Sequence, residues 1–220
     1  MRLRRRARGI PGQAAANPQL TSRLEDARLY VITPDAPRER VLEIASAAVR
    51  GGADVVQLRH KSMPRGELLN LARELREVTK GRIFIVNDHV DIALLSAADG
   101  VHLGPDDLSV AGARKVAGDR LVIGVSASRA DAVPEGADYV GCGAVFATPV
   151  KSRKQPIGPA AVAALAKGVG IPVFAIGGID ESNIGQLVAA GVRRACVIRA
   201  VSDAPDPERA TRRLRAMLTA

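Results

Sequence analysis

Short apolar runs alternate along the chain with longer stretches in which apolar residues recur every three or four positions. The short runs indicate strands that are buried on both faces, and the longer stretches have the period of amphipathic helices. Strands are predicted at residues 29–33, 55–59, 83–86, 100–103, 121–125, 139–141, 173–176 and 195–198. Helices are predicted at residues 38–50, 65–79, 90–95, 110–116, 159–167, 181–190 and 207–218.

This order of elements predicts one α/β domain with a parallel sheet, because helices between buried strands supply the crossover connections. Eight such units fit a closed (β/α)8 TIM barrel better than an open doubly wound sheet, since no Gly-x-Gly-x-x-Gly turn follows the first strand. Only nine residues, 128–136, separate strands five and six. A crossover needs about a dozen residues, so we expect a shortened fifth helical unit.

Composition sets a boundary near the amino terminus. The formal charge is +9, of which an Arg cluster within residues 2–8 supplies five, which leaves +4 for the rest of the chain. We expect residues 1–25 to form a flexible basic leader and residues 26–220 to form the barrel catalytic domain. Aromatic residues are scarce and no nucleic-acid-binding motif follows the leader, so nucleic acid is not an expected partner.

Other features of the chain indicate a cytoplasmic protein. No stretch approaches the roughly 18 apolar residues of a membrane span, and the Arg-rich start lacks the apolar segment of a secretory signal. No membrane association is therefore expected. Cys142 and Cys196 lie in apolar segments without Cys-x-x-Cys spacing, which predicts buried, reduced thiols. The sequence leaves a homo-oligomer possible.

The second predicted strand ends in Gln-Leu-Arg-His-Lys at residues 57–61. Side chains alternate across a strand, so Gln57, Arg59 and Lys61 share one face while Leu58 and His60 take the other. An amide, a guanidinium and an ammonium group on one face are suited to binding a polyanion. The alternative is an internal barrel layer with a buried ion pair, which would be costly.

Acidic residues follow the next two strands, Asp88 after the third and Asp106 with Asp107 after the fourth. The active site of a barrel lies at the carboxyl ends of its strands. Mg2+ binds one or two carboxylates together with phosphate oxygens. Asp88 and Asp107 are therefore predicted to hold one Mg2+ against a bound diphosphate. The alternative is that these acids cap the helices that follow them.

Two later segments could bind a second phosphate. Ile-Gly-Gly-Ile at residues 176–179 follows the seventh strand and lets backbone N–H groups approach an anion, although two glycines also suit a tight turn. Arg199 follows the eighth strand and could add a charge. The loop over residues 141–154 could close over a substrate and bring Lys151 to a diphosphate, unless its basic residues form a solvated charge run.

Taken together, these motifs resemble the thiamin-phosphate synthase (thiamin-phosphate pyrophosphorylase) family, over about residues 29–218. Seven segments carry the resemblance: Gln-Leu-Arg-His-Lys at 57–61, Ile-Val-Asn-Asp at 85–88, Gly-Val-His-Leu-Gly-Pro-Asp-Asp at 100–107, Gly-Val-Ser at 124–126, Gly-Ala-Asp-Tyr-Val-Gly at 136–141, Thr-Pro-Val-Lys at 148–151 and Ile-Gly-Gly-Ile at 176–179.

The resemblance implies a Mg2+-dependent transferase that condenses 4-amino-2-methyl-5-pyrimidinylmethyl diphosphate with thiazole phosphate to give thiamin phosphate and diphosphate. The implied pyrimidine-diphosphate residues are Gln57, Leu58, Arg59, His60, Lys61, Asn87, Ser126 and Lys151, of which Arg59, Lys61, Ser126 and Lys151 are the implied catalytic residues. The implied thiazole-phosphate residues are Thr148, Pro149, Val150, Gly178, Ile198 and Arg199, and the implied metal ligands are Asp88 and Asp107.

The chain departs from this family's pattern at His60, where an acid is usual, at Pro105, where Gln is common, and at Val150, where a second Thr is usual. Two alternatives therefore stay open. One is a related thiazole tautomerase. The resemblance to that enzyme implies a catalytic His after strand five, where this chain has Ser128. The other is a degenerate barrel that senses a phosphorylated metabolite. Small phosphorylated molecules are the expected partners in each case.

Overall fold

All eight predicted strands form, and each pairs in parallel with the next along the chain. The computed structural model describes residues 18–147 and 155–220. Within them β8 also pairs with β1, which closes the barrel and confirms the predicted (β/α)8 fold. The strands are β1 (Leu29–Ile32), β2 (Val55–Leu58), β3 (Ile83–Asn87), β4 (Gly100–Leu103), β5 (Val122–Ser126), β6 (Tyr139–Gly143), β7 (Val173–Ile176) and β8 (Ala195–Val197).

Helices cover the outside of the barrel. They are α1 (Pro18–Asp26), α2 (Arg38–Arg50), α3 (Arg65–Val78), α4 (Val90–Leu95), α5 (Val110–Ala117), α6 (Gly158–Gly168), α7 (Ile184–Ala189), α8 (Arg199–Ser202) and α9 (Pro207–Thr219). The connection between β5 and β6 contains a single 3-10 turn, Ala130–Ala132. None of the helices in the described part of the chain is long and apolar enough to cross a bilayer.

Helix α7 begins later than the pattern predicted. The prediction started at residue 181, whereas α7 starts at Ile184. The preceding turn is held by side chains: Asp180 Oδ1 accepts a hydrogen bond from the Ser182 amide at 2.9 Å, and Asn183 Oδ1 accepts one from the Asp180 amide at 3.0 Å. Such local side-chain bonds to the backbone compete with helix formation.

The hydrophobic core has two layers, one between the barrel and the helices and one inside the barrel. Leu20 and Leu24 of α1 belong to the inner layer, and Leu24 is fully buried. Arg23 also donates to the carbonyl of Gly81, just before β3 begins. Helix α1 therefore closes the amino-terminal end of the barrel. Part of the stretch predicted to be a flexible leader is thus helical; the division of the chain near residue 25 otherwise stays a prediction, because residues 1–17 lie outside the described part.

Three of the even-numbered strands are preceded by an aspartate that makes the same two kinds of contact, which we call the aspartate device. Asp54, Asp99 and Asp138 directly precede β2, β4 and β6, and each accepts a hydrogen bond from an amide at the start of the preceding strand while pairing with an arginine. The amide donors are Leu29 (2.9 Å), Phe84 (2.7 Å) and Ile123 (2.6 Å), and the arginines are Arg215, Arg76 and Arg114. These hydrogen bonds and ion pairs therefore stabilise the amino-terminal rim of the barrel.

Candidate active site

The carboxyl ends of β2 to β5 direct polar side chains into the mouth of the barrel. Alternate residues of a strand share a face. Val55 lies in the inner core layer, as do Ile83 and Ile85, so Gln57 and Asn87 continue the inward-facing series of their strands. His102 pairs with Asn87 in the sheet register, and its ring contacts Ser126 at the end of β5. This polar level lies above the apolar filling of the barrel.

A chain of hydrogen bonds crosses the barrel at this level. Gln57 Nε2 donates to the Tyr30 hydroxyl at 2.7 Å, and the hydroxyl groups of Tyr30 and Tyr139 are 3.0 Å apart. The Tyr139 hydroxyl lies 3.2 Å from His102 Nδ1, and His102 Nε2 lies 3.0 Å from Ser126 Oγ. Every contact is satisfied if each group donates to the next in this order, with the His102 proton on Nε2.

The two tyrosines in the middle of this hydrogen-bond chain are held in place by packing. Tyr30 and Tyr139 are almost completely buried, and burial raises the pKa of both hydroxyl groups well above the usual value, so both remain protonated donors. Phe174 packs edge-on against both rings, with centroids 5.4 and 5.9 Å away. Gly124 leaves room for the Tyr139 ring, since a Cβ there would overlap it. Gly124 of the Gly-Val-Ser segment is thus required by packing.

Sequence reasoning missed Tyr30 and Tyr139 as parts of the site. They are the only two tyrosines in the chain. Each falls at an inward-facing strand position, which the alternation of the strands could have indicated. A hydroxyl group inside an aliphatic barrel needs a hydrogen-bonding partner. The pairing of the two tyrosines through their hydroxyl groups depends on barrel closure, which places β1 and β6 on opposite sides of the interior.

A cluster of one base and two acids lies beside this chain. Lys61 Nζ is 2.5 Å from Asp88 Oδ2, and Asp88 is in side-chain hydrogen-bond contact with Asp107. Burial raises the pKa of Asp107, and the contact with Asp88 raises it further. Burial also opposes ionisation of Asp88, but hydrogen bonds from Lys61 and Asp107 outweigh it, and the pKa of Asp88 lies below its ordinary value. The two carboxyl groups therefore differ in acidity, and the proximity of Asp88 disfavours a second negative charge on Asp107.

Neither acid caps a helix, so the capping alternative is wrong for both. His89 occupies the N-cap position of α4 without a side-chain cap, and Ser109 caps α5 by accepting from the Gly112 amide at 3.1 Å. Asp107 instead accepts from the Gly104 amide at 2.7 Å. Asp88 has a φ of 65°, a conformation that Asp tolerates but that is uncommon outside glycine. Uncommon backbone conformations of this kind cluster at functional sites.

The donor set of Asp88 and Asp107 fits a hard divalent cation. Mg2+ prefers oxygen ligands and uses one or two carboxylates, with water and phosphate oxygens completing its shell. The two side chains follow adjacent strands, β3 and β4, and interact with each other, so a cation between them would neutralise the charge of both. The described residues contain no group of three or more His, Cys, Asp or Glu side chains arranged for a metal.

The five residues of segment 57–61 take three different positions. Arg59 NH1 lies 3.1 Å from Asp35 Oδ2, at the rim of the mouth. The Leu58 side chain is buried in the outer core layer, away from the mouth. The His60 ring is 12% exposed and bridges two loops rather than facing Lys61. The structure thus brings Gln57, Arg59 and Lys61 to the mouth but not the side chains of the other two.

A cavity of about 320 Å3 opens between the ends of β6, β7 and β8. Gly178, Ile198 and Arg199 line it, so three of the six residues predicted for thiazole phosphate lie together. Gly177 and Gly178 have φ values of 99° and 67°, and a Cβ on Gly178 would come within 2.5 Å of the Ala147 carbonyl oxygen. Packing therefore requires this glycine pair, and its presence alone does not indicate a phosphate.

Four predicted site residues lie outside the described residues. They are Thr148, Pro149, Val150 and Lys151, which belong to the segment between β6 and α6. The described part of this connection reaches Ala147, which lines the cavity together with Gly178. The proposed roles of these four residues stay predictions.

Comparison with known proteins agrees with this geometry. Residues 29–201 match the profile of the family described as thiamine monophosphate synthase. The chain is 46% identical over 203 residues to the thiamine-phosphate synthase of Gloeobacter violaceus, which covers 90% of this chain and 59% of that protein. It is 44% identical over 185 residues to the thiamine-phosphate synthase of Moorella thermoacetica, with 81% and 88% covered.

Among solved structures, thiamine phosphate pyrophosphorylase from Pyrococcus furiosus superposes with a TM-score of 0.80 at 36% identity, and covers 91% of this chain and 98% of that one. The chain spans less than two thirds of the Gloeobacter violaceus protein. The family match nevertheless extends from β1 to α8 and includes every described strand. The chain therefore belongs to the thiamine monophosphate synthase family.

Proposed function

We propose that this protein condenses 4-amino-2-methyl-5-pyrimidinylmethyl diphosphate with thiazole phosphate, which gives thiamin phosphate and diphosphate. The observation that carries this proposal is the cluster of Lys61, Asp88 and Asp107 beside Arg59, at adjacent strand ends of a family member's barrel. Such a cluster is suited to a diphosphate and a divalent cation. The names of the similar proteins support the same activity.

The aminopyrimidine would be held by the polar level of the barrel mouth. Gln57, Asn87 and Ser126 offer amide and hydroxyl groups that suit ring nitrogens and an amino group. Gln57 and Ser126 are the two ends of the hydrogen-bond chain through the tyrosines, so their orientations are coupled. A rigid barrel interior presents such groups without reorganisation when the substrate arrives.

The diphosphate end of that substrate would lie against Arg59 and Lys61, with Lys151 as a third base. Breaking the C–O bond to diphosphate builds negative charge on the leaving group and positive charge on the pyrimidine methylene carbon. Preorganised positive groups stabilise the first of these charges, and one well-placed donor is worth about 3 to 4 kcal/mol. Asp88 and Asp107 would hold Mg2+, which supplies further positive charge against the diphosphate oxygens. The thiazole nitrogen then attacks the methylene carbon.

The thiazole phosphate would occupy the cavity between β6, β7 and β8. Gly178, Ile198 and Arg199 line that cavity, and Arg199 can contribute positive charge to a phosphate. Thr148, Pro149 and Val150 are proposed to form the remaining wall. The cavity opens at the same end of the barrel as the diphosphate cluster, as condensation of two bound substrates requires.

The retained cluster of Lys61, Asp88 and Asp107 favours condensation over the tautomerase alternative, which has no use for a diphosphate site. This chain has Ser128 at the position after strand five where the tautomerase alternative would need a catalytic His. A cytoplasmic location and a possible homo-oligomer accompany the proposal as predictions from the sequence.

Substitution of the cluster tests this assignment. We expect Lys61→Ala and Asp88→Asn each to lower the condensation rate at least about a hundredfold, because each removes charge that stabilises the leaving group or its cation. The measurement is the rate of thiamin phosphate formation with both substrates and Mg2+. Lys80→Ala and Asp119→Asn are matched controls and should retain the wild-type rate, because both residues are exposed and precede strands, away from the carboxyl ends that carry the cluster. Near wild-type rates in both cluster variants would discard the assigned roles.

A further inference from the structure

We propose that Asp35 is a positioning residue for diphosphate binding, which acts by holding Arg59 and the backbone of Lys61 in place. Asp35 lies in the loop between β1 and α2, outside the motifs that carry the family resemblance. The proposal rests on the proposed function only where it names the pyrimidine diphosphate as the substrate that carries the diphosphate group. The positioning role itself concerns the affinity of Arg59 and Lys61 for a diphosphate group.

One carboxylate engages both basic residues. Asp35 Oδ1 accepts a hydrogen bond from the Lys61 backbone amide at 2.6 Å, and Asp35 Oδ2 lies 3.1 Å from Arg59 NH1. Lys61 is therefore held at two points, because its ammonium group contacts Asp88 while its amide contacts Asp35. The Arg59 side chain is 29% exposed and Asp35 is 40% exposed, so the pair sits at the solvent-facing rim of the mouth.

The loop that carries Asp35 is itself fixed to the end of β2. The Thr33 amide donates to the Gln57 carbonyl at 2.9 Å, and the fully buried Thr33 hydroxyl accepts from the Arg59 amide at 3.1 Å. The backbone on both sides of the Asp35 contacts is thereby aligned. Asp35 adds an ion pair with Arg59 to these backbone contacts.

His60 joins the same two loops from the other side. Its Nδ1 accepts a hydrogen bond from the Met63 amide at 3.1 Å, so the proton resides on Nε2, which donates to the Ala36 carbonyl at 3.2 Å. His60 Nδ1 is also 3.6 Å from Asp35 Oδ1. The His60 ring therefore restrains the segment on which Asp35 lies, and the Asp35 carboxylate cannot follow Arg59 freely.

The geometry favours positioning over competition with the ligand. Asp35 contacts one terminal nitrogen of Arg59, whereas a guanidinium presents five N–H donors in a planar fork. The remaining donors can face phosphate oxygens while the pair persists. Ordering a long side chain before the ligand binds removes a cost that binding would otherwise carry. If Asp35 merely competed with the anion, its removal would tighten diphosphate binding, so the two roles predict changes of opposite sign.

The test is calorimetric titration of inorganic diphosphate, in the presence of Mg2+, into the wild type and the Asp35→Ala and Asp35→Asn variants. We expect Asp35→Ala to weaken binding about tenfold through the lost ordering of Arg59 and the Lys61 loop. Asp35→Asn should be affected less, because its amide oxygen can still accept from the Lys61 amide. Asp131→Ala, which removes the partner of Arg129 in another surface ion pair, should bind diphosphate as the wild type does.

A double-mutant cycle identifies Arg59 as the residue through which Asp35 acts. In an Arg59→Ala background, Asp35→Ala should weaken diphosphate binding by clearly less than in the wild type, since neighbours that act together are not additive. In turnover, the KM for the pyrimidine diphosphate should rise while the KM for thiazole phosphate stays unchanged. A general loss of structure would move both.

Unchanged or tighter diphosphate binding in folded Asp35→Ala and Asp35→Asn, or fully additive effects with Arg59→Ala, would overturn the positioning role. A wild type that binds no diphosphate would overturn it too. If the wild type binds diphosphate with the expected dependence on Asp35 but forms no thiamin phosphate, the proposed function fails while the positioning role stands.

Discussion

At the scale of single residues, the site combines groups that motifs reveal with groups that only packing reveals. The proximity of Lys61, Asp88 and Asp107 could be predicted because each follows a strand, and the carboxyl ends of parallel strands meet at one end of the barrel. Tyr139 could not, since its hydroxyl gains a role only where the closed barrel brings it near Tyr30. Asp35 is similar: its partners are 24 and 26 positions away in sequence, and no local pattern joins them.

The hydrogen-bond chain can be cut at one atom. Tyr139→Phe removes the hydroxyl between Tyr30 and His102, so the buried Tyr30 hydroxyl and the half-buried His102 ring each lose one hydrogen-bond contact. We expect a loss of about 1 to 3 kcal/mol in unfolding free energy. We also expect kcat/KM for the pyrimidine diphosphate to fall, because Gln57 and Ser126 lose their common support.

Denaturant unfolding and steady-state kinetics measure the two effects of Tyr139→Phe. Ser96→Ala is the control, since it removes another buried hydroxyl that bonds to the Ile92 carbonyl within α4, far from the chain across the barrel. That variant should lose stability but keep kcat/KM. Wild-type kcat/KM in Tyr139→Phe would show that the hydrogen-bond chain does not support the site.

At the scale of elements, the pattern of apolar positions predicted every strand because buried parallel strands have a strong and simple signature. Helix boundaries were less accessible. The start of α7 depends on side-chain bonds of Asp180 and Asn183, and α1 presents only Leu20 and Leu24 to the core, too few to show a helical period. Both outcomes reflect tertiary or local side-chain contacts that override periodicity.

The aspartate device at the strand starts gives a prediction of its own. Asp99→Ala removes the acceptor for the Phe84 amide and the partner of Arg76, both largely buried. We expect a loss of about 2 to 3 kcal/mol in unfolding free energy, because a buried amide and a buried charge lose their partner. Condensation activity of the folded variant should stay at the wild-type level, since Asp99 lies at the opposite end of the barrel from the site.

Urea unfolding of Asp99→Ala beside Asp119→Ala measures this effect. Asp119 lies exposed in the turn before β5, at the same end of the barrel. Equal stability of the two variants would remove the structural role assigned to the device, and a large loss of activity in folded Asp99→Ala would mean that the two ends of the barrel are coupled.

At the scale of the whole molecule, the two ends of the barrel carry separate tasks. The amino-terminal end holds α1 and the three aspartates, and the carboxyl-terminal end holds the polar chain, the acid and base cluster and the cavity. The location of the site could be predicted from the sequence, because the active site of a barrel lies at the carboxyl ends of its strands. The structural role of Asp54, Asp99 and Asp138 could not, since their arginine partners come from distant parts of the chain. The role of Lys151 rests on the sequence alone, since residues 148–154 lie outside the described part of the chain.

The most direct test of the central claim is incubation of the wild-type protein with the pyrimidine diphosphate, thiazole phosphate and Mg2+, followed by quantification of both products. We predict equal amounts of thiamin phosphate and diphosphate, with product formation lost when either substrate is omitted or the metal is chelated. Absence of thiamin phosphate from the folded protein under these conditions would contradict the proposed function.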